Sequence, residues 1–306
     1  MKNPINYIHR PTGEVATEKV YGQSGLNLFY GSSFGIKITS TIFSKKWFSK
    51  LLGSFEDTGF SRFKIKEFIG KFNINMKEYE PGPYRTFNDF FIRKFLPESR
   101  VFSENTLKIP APCEGRYFVI PSIKKSNSFV VKNISINLEE LIQDPELASK
   151  FDGGSLVIIR LCPVDYHRFH FPISGEIKQF KKISGPLHSV NPLALSKKPD
   201  ILMSNERHLT LIHSTETTPA NLYLGHYLQI EVGALMVGKI YQKHPQPNTL
   251  VKRGEEKGYF LFGGSSVLLL FEPNKIQFDP DLLENTQKGL ETWVPLGNPI
   301  ASLKTV

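Results

Sequence analysis

The 306-residue sequence predicts an α+β fold: a basic helical region over residues 1–100, then a β-rich body over residues 101–306 with one short helical insertion. Two observations carry this. Between Phe43 and Phe72 apolar residues recur at the spacing of a helix face. After Arg100 the chain breaks into short apolar segments separated by Pro, Gly and Asn turns, the pattern of many short strands. The composition is globular, 40% hydrophobic and 22% charged. The length suits one large domain or two small ones.

The chain opens with a polar, turn-rich stretch. Met1 to Gly13 lacks the apolar core of a signal peptide. Trp47, Phe48, Leu51, Leu52 and Phe55 then mark a first helix, with Lys45, Lys46 and Lys50 between them. Phe63, Ile65, Phe68, Ile69 and Phe72 mark a second, interleaved with Arg62, Lys64, Lys66 and Lys71. Gly53 and Gly59 are expected to break one from the other. Such a pair either packs on a core with a solvated basic face or lies in a membrane interface, aromatics inward and lysines at the headgroups. In the body, strands are expected over 115–120, 128–131, 155–161, 227–232, 258–262 and 267–271, with a helical insertion over 138–151. There are no internal repeats, and no stretch reaches ~18 uninterrupted apolar residues, the length a membrane helix needs.

The net charge is +9, but residues 1–100 hold 16 Lys+Arg against 9 Asp+Glu while residues 101–306 hold 22 against 20. The basic excess is therefore N-terminal. No nucleic-acid-binding motif accompanies it, so nucleic acid is not expected, and an anionic membrane surface is the fitting partner. Cys113 and Cys162 form no close-spaced metal or redox pair and are expected to be buried and reduced.

The string Phe260-Leu261-Phe262-Gly263-Gly264-Ser265-Ser266-Val267 reads two ways. It can be a turn between buried strands. It can also be a Gly-Ser bond that cleaves itself, the serine hydroxyl attacking the preceding carbonyl. That reaction needs a strained bond free of a Cβ, a base, and donors for the oxyanion. A base is at hand in Arg160-Leu161-Cys162-Pro163-Val164-Asp165-Tyr166-His167-Arg168-Phe169-His170-Phe171-Pro172. This segment resembles the histidine motif of phosphatidylserine decarboxylases. Tyr84-Arg85-Thr86-Phe87-Asn88-Asp89-Phe90-Phe91, Ser189-Val190-Asn191, Val232-Gly233-Ala234 and the run from Arg253 into the Gly-Ser string resemble the same family, in the family's order.

The resemblance implies a self-cleaving proenzyme that converts phosphatidylserine to phosphatidylethanolamine and carbon dioxide. Cleavage falls between Gly264 and Ser265, giving fragments 1–264 and 265–306 that stay associated. Ser265 becomes a covalent pyruvoyl group, which does the work of pyridoxal phosphate without that cofactor; Ser266 is an alternative nucleophile on sequence alone. His170 matches the family's base for the Ser265 hydroxyl, and His167 belongs to the later decarboxylation step. On a regular strand residues three apart face opposite ways, so the two serve different sites or the backbone bends. Glu114, in Pro112-Cys113-Glu114-Gly115, stands where the family has Asp; it would orient His170 as the third member of a triad, its extra methylene altering the geometry. Asp165 reads as a turn residue. Gly233 and Gly238 are expected to let backbone approach closely. Arg168, His188 and Asn191 are candidate substrate contacts. No metal is expected. The location implied is peripheral, on the cytoplasmic face of the cell membrane; a homodimer is allowed but not specified.

Three rivals share parts of this pattern. A pyruvoyl decarboxylase of soluble amino acids would leave the basic aromatic helices unexplained. A lipid-binding relic would not need Ser265, His167 and His170. A serine hydrolase built on Ser265, His170 and Glu114 lacks the Gly-x-Ser-x-Gly elbow.

Overall fold

A computed structural model describes residues 4–124, 129–131, 134–218, 222–235, 239–263 and 265–304. Among these, ten strands form one sheet in the order Leu250–Val251, Gly175–Ile183, Arg207–Ser214, His226–Val232, Ser265–Phe271, Ser155–Leu161, Gly115–Ile120, Glu291–Val294, Asn6–His9 and Glu14–Thr17. Neighbours are antiparallel except Asn6–His9, which runs parallel to Glu291–Val294. Ser155–Leu161 and Ser265–Phe271 lie at the centre, and every residue in both is buried. Their near-continuous runs of Val, Ile and Leu suit strands covered on both faces. The register sets Ser265 opposite Leu161 and Phe271 opposite Ser155. A smaller sheet joins Ile240–Gln242, Glu256–Phe260 and Arg168–His170.

The strands expected at 115–120 and 155–161 form within those limits. Those at 227–232 and 267–271 extend by one and two residues at their starts. The strand expected at 258–262 runs instead over Glu256–Phe260, because Phe262 and Gly263 turn toward the central strand. Phe129–Val131 is a strand; residue 128 lies outside the described residues. The helical insertion is two short helices, Leu138–Ile142 and Pro145–Lys150. Gln143, at φ 52°, ends the first. Asp144 caps the second by accepting the Leu147 N–H, with Pro145 in its first turn.

The helical region contains Gln23–Tyr30, Ser33–Ile38, Lys46–Glu56 and Phe63–Phe72. The Lys46–Glu56 helix runs through Gly53, so that glycine is not the break; the chain turns only at Asp57–Gly59. A single helical glycine costs only about 1 kcal/mol, and the helix continues through the buried Gly53. Phe68 packs inward against Phe87, Phe90, Phe91 and Phe262. Trp47, Leu51, Phe55, Phe60 and Phe63 stay exposed on the outside. No described helix is long and apolar enough to cross a membrane. The polar N-terminal stretch holds a hairpin, Asn6–His9 with Glu14–Thr17, that extends the main sheet; its mixed burial carries no alternation to betray it. Cys113 and Cys162 are buried and free, as expected.

Candidate active site

Ser265 begins a central strand and is fully buried. Its Oγ has no hydrogen-bond partner. Gly264 lies outside the described residues. Gly263 sits at φ 140°, backbone that a side chain would strain. Upstream, the Phe262 amide donates to Asn88 Oδ1 at 2.8 Å, and the Phe260 amide donates to the His167 carbonyl at 2.9 Å. The histidine segment thus lies directly against the run that leads to Ser265. Only glycine fits at 258, where a Cβ would come within 2.0 Å of the Tyr241 carbonyl.

The two histidines part company. His167 precedes the Arg168–His170 strand and is sealed from solvent. Its Nδ1 donates to the Asp165 carbonyl at 3.0 Å, which leaves Nε2 as the bare, basic nitrogen. That Nε2 is buried without a partner. The ring lies 4.0 Å from Phe91, whose ring is 5.1 Å from Phe262. Burial pushes the imidazole down to about 3, against the raising effect of the Asp165 and Gly263 carbonyls beside it. His170 ends the strand. Its Nδ1 donates to the Gly254 carbonyl at 2.9 Å, and its Nε2 is 3.5 Å from the Tyr166 hydroxyl. Burial holds it at about 4. Both rings are neutral bases at pH 7.

Glu114 is buried, and its Oε2 accepts from Arg100 Nε at 2.7 Å. Burial raises its carboxyl in spite of Arg100. Among the described residues no hydrogen bond joins Glu114 to His170, or either to Ser265. Asp165 is the turn residue expected: it accepts the Cys162 N–H at 2.6 Å, and its Oδ1 accepts the Trp293 indole N–H at 3.2 Å. Arg168 is committed to Glu256 at 2.8 Å and to the Ile92 carbonyl at 2.7 Å. The ring of His188 meets the Tyr30 hydroxyl at 3.3 Å. Asn191 caps the Pro192–Lys197 helix through the Leu193 N–H. Gly233 donates to the Glu206 carbonyl and accepts from Asn205; Gly238 lies outside the described residues.

A largely apolar cavity of about 250 Å³ adjoins Gly263, lined by Tyr21, Leu26, Phe29, Leu161, Asn191 and Phe262 among others. Of the candidate substrate contacts, Asn191 lines it and Arg168 and His188 do not. Glu18, also in its wall, was missed by sequence reasoning. Its carboxylate pairs with Arg160 at 2.7 Å and Arg116 at 3.0 Å. Burial alone would raise this carboxyl, but the two arginines hold it at about 2. Part of this was visible: Arg116 and Arg160 are lone charges inside apolar strands, and buried charges need partners. The acid itself arrives from the unforeseen hairpin. Among the described residues no cluster of three His, Cys, Asp or Glu could hold a metal ion.

Comparison with known proteins identifies the family. A family model described as Phosphatidylserine decarboxylase matches residues 87–293. The phosphatidylserine decarboxylase proenzyme of Fusobacterium nucleatum subsp. nucleatum is 39% identical over 302 residues, covering 98% of each chain. That of Clostridium novyi is 41% identical over 287 residues, covering 93% of this chain and 95% of its own. That of Clostridium botulinum strain Kyoto is 39% identical over 302 residues, covering 98% of this chain and 100% of its own.

Proposed function

Because the chain belongs to the phosphatidylserine decarboxylase family, we propose that its working form arises by cleavage of its own Gly264–Ser265 bond. Its reaction is the carboxy-lyase step of phospholipid biosynthesis that turns phosphatidylserine into phosphatidylethanolamine and carbon dioxide. One observation carries the self-cleavage reading: Ser265 Oγ, two residues after Gly263, and His167 Nε2 are both buried without a hydrogen bond, and the His167 ring lies beside the Gly263 carbonyl. Buried polar atoms normally find partners. Two that do not, in this setting, suit chemistry better than stability.

A histidine takes the Ser265 hydroxyl proton, and Oγ attacks the Gly264 carbonyl carbon. The C–N bond breaks as its nitrogen takes a proton, leaving an ester. Loss of the Ser265 α-proton expels the Gly264 carboxylate, and hydrolysis of the resulting dehydroalanine releases ammonia. Residue 265 is then a pyruvoyl group, which supplies an electron sink for the bond broken as carbon dioxide leaves. Burial of Ser265 holds bulk water off that carbonyl. Fragments 1–264 and 265–306 stay together through the ladders of Ser265–Phe271 with Ser155–Leu161 and His226–Val232.

The resemblance gives the Ser265 proton to His170 and decarboxylation to His167, with Glu114 orienting His170. The Gly254 carbonyl already fixes the His170 ring through Nδ1 and leaves Nε2 basic, so part of the orienting task falls on that carbonyl. Catalytic hydrogen bonds are often loose before the reactive state forms. A second reading has His167 take the first proton; its free Nε2 beside Gly263 favours it.

The helical region is proposed to rest on an anionic bilayer as a peripheral contact at the cytoplasmic face. Trp47, Phe60 and Phe63 are 57%, 81% and 70% exposed, and the basic excess lies in the same region. Asn191, in the cavity wall, is proposed to meet the lipid headgroup.

The test is a denaturing gel with mass spectrometry. Purified protein should run as pieces of 264 and 42 residues, the smaller with a blocked N-terminus. Ser265→Ala should remain one inactive chain. An active enzyme found as a single uncut chain with Ser265 unmodified would rule the reading out.

A further inference from the structure

The Phe87–Phe91 helix has no part in the chemistry above, yet its Asn88 touches the run into the cleavage site. Asn88 is 2% exposed. Its Oδ1 accepts the Phe262 N–H at 2.8 Å, and its Nδ2 donates to Asp57 Oδ1 at 2.7 Å. The orientation of the amide is dictated by these partners. Flipped, it would set NH2 against the Phe262 N–H and its carbonyl against a carboxylate. Asp57 directly follows the Lys46–Glu56 helix. A second bridge runs alongside: the Phe87 N–H donates to Ser61 Oγ at 2.8 Å, and Ser61 Oγ donates to the Glu56 carbonyl at 2.9 Å. From Phe262 it is one residue to Gly263, whose backbone is already held in a conformation only glycine tolerates well.

We infer that Asn88 is a positioning residue for self-cleavage, holding the Phe262–Gly263 backbone in its reactive shape by anchoring it to Asp57 at the end of the helical region. The inference rests on the self-cleavage reading. Its energetic logic is local. The Phe262 N–H is a buried donor next to a strained glycine, and without Oδ1 it must find another acceptor by moving the backbone. Small displacements at a reacting bond are costly in rate. The same anchor gives the residues facing outward on the Lys46–Glu56 helix a covalent and hydrogen-bonded route to the Ser265 run.

Substitutions can separate positioning from folding. In Asn88→Asp the new carboxylate still accepts from Phe262 but faces the Asp57 carboxylate. Adding Asp57→Asn restores a donor opposite it, so the pair is exchanged rather than lost. Precursor is made in cell-free synthesis, and the appearance of the 42-residue fragment is timed beside thermal unfolding of the uncut chain in a Ser265→Ala background. Asn88→Asp should cleave about tenfold slower than the parent. The Asn88→Asp/Asp57→Asn exchange should recover most of that rate. Asn88→Ala should be at least as slow as Asn88→Asp. If Asn88→Asp cleaves at the parental rate, the inference falls while the self-cleavage reading stands. It falls equally if the exchange restores unfolding temperature but not cleavage, since Asn88 is then structural only. A parental chain that never yields the fragment would overturn both.

Discussion

Lys257 Nζ lies 2.7 Å from Glu231 Oε2, with the two side chains 1% and 0% exposed. Gln242 closes the group, accepting from Lys257 at 2.8 Å and donating to Glu231 at 2.6 Å. The pair sits against the histidine strand: Lys257 is 5.4 Å from the Phe169 ring, and Gln229 donates to the His170 carbonyl at 3.2 Å.

Removing one partner of this pair should be far worse than removing both. Lys257→Met strands a buried carboxylate, a loss of about 3–5 kcal/mol. Lys257→Met/Glu231→Leu should recover most of it, because a packed apolar pair carries no desolvation penalty. Burial already raises the Glu231 carboxyl against the pull of Lys257. A carboxyl whose folded value is raised contributes most when protonated, and that contribution fades as pH climbs. The single variant should therefore gain stability relative to the parent as pH falls. Denaturant unfolding at neutral and mildly acidic pH measures this, and a Lys257→Met chain as stable as the parent at neutral pH would refute it.

The parent should respond to acid in the opposite sense. His167 and His170 are held at about 3 and about 4 in the fold, against about 6.5 in an unfolded chain. Their lowered values favour the folded, neutral state above pH ~6.5, and that contribution drains away as pH falls toward 4 and 3. Glu18, held at about 2, adds a second loss from ~4.5 downward. Stability should thus decline from pH ~6.5, well before most carboxylates titrate. Cleavage rate should keep its base down to pH ~4, provided the chain stays folded. An acid limb centred near 6.5 would mean that the working histidine is not buried in the reacting state.

Much of this site was legible because its chemistry sits in short contiguous strings. The Gly-Ser bond and both histidines are local motifs, and the central strands announce themselves as Val, Ile and Leu runs. The geometry between motifs was less legible. Nothing in Pro112-Cys113-Glu114-Gly115 shows that Arg100 takes the carboxylate, since that pairing depends on how residues 96–100 fold back. Glu18 was invisible for a related reason. Its hairpin pairs with Glu291–Val294, Tyr7 opposite Glu291 and so 284 residues away in sequence, a contact that local pattern cannot report. Gly53 misled because propensity is a weak prior inside a helix that tertiary packing holds.

Membrane contact should depend on the outer face of the helical region. Trp47, Leu51 and Phe55 follow one another at four-residue intervals on one helix and are all exposed. Changing the three to serine should weaken co-sedimentation with anionic vesicles at both low and high salt, since an apolar contribution is not screened. Changing Lys45, Lys46 and Lys50 to glutamine should weaken it chiefly at low salt, at about 1 kcal/mol per charge. If folded variants of both kinds bind as the parent does, the bilayer is met by another surface.

The division of labour between the histidines is decided by single substitutions scored separately for maturation and turnover. Loss of a general base slows a step about 10²–10⁴-fold. His170→Ala should accumulate uncut chain. His167→Ala should still yield the 42-residue fragment while decarboxylating poorly. Glu114→Gln should slow maturation less than His170→Ala does, because the Gly254 carbonyl at 2.9 Å keeps the His170 ring in place while Glu114 is engaged by Arg100 at 2.7 Å. A Glu114→Gln chain as inert as His170→Ala would show that the carboxylate leaves Arg100 and reaches the histidine when the bond breaks. Uncut His167→Ala beside matured His170→Ala would move the Ser265 proton to His167 Nε2, the nitrogen that the fold leaves bare beside Gly263.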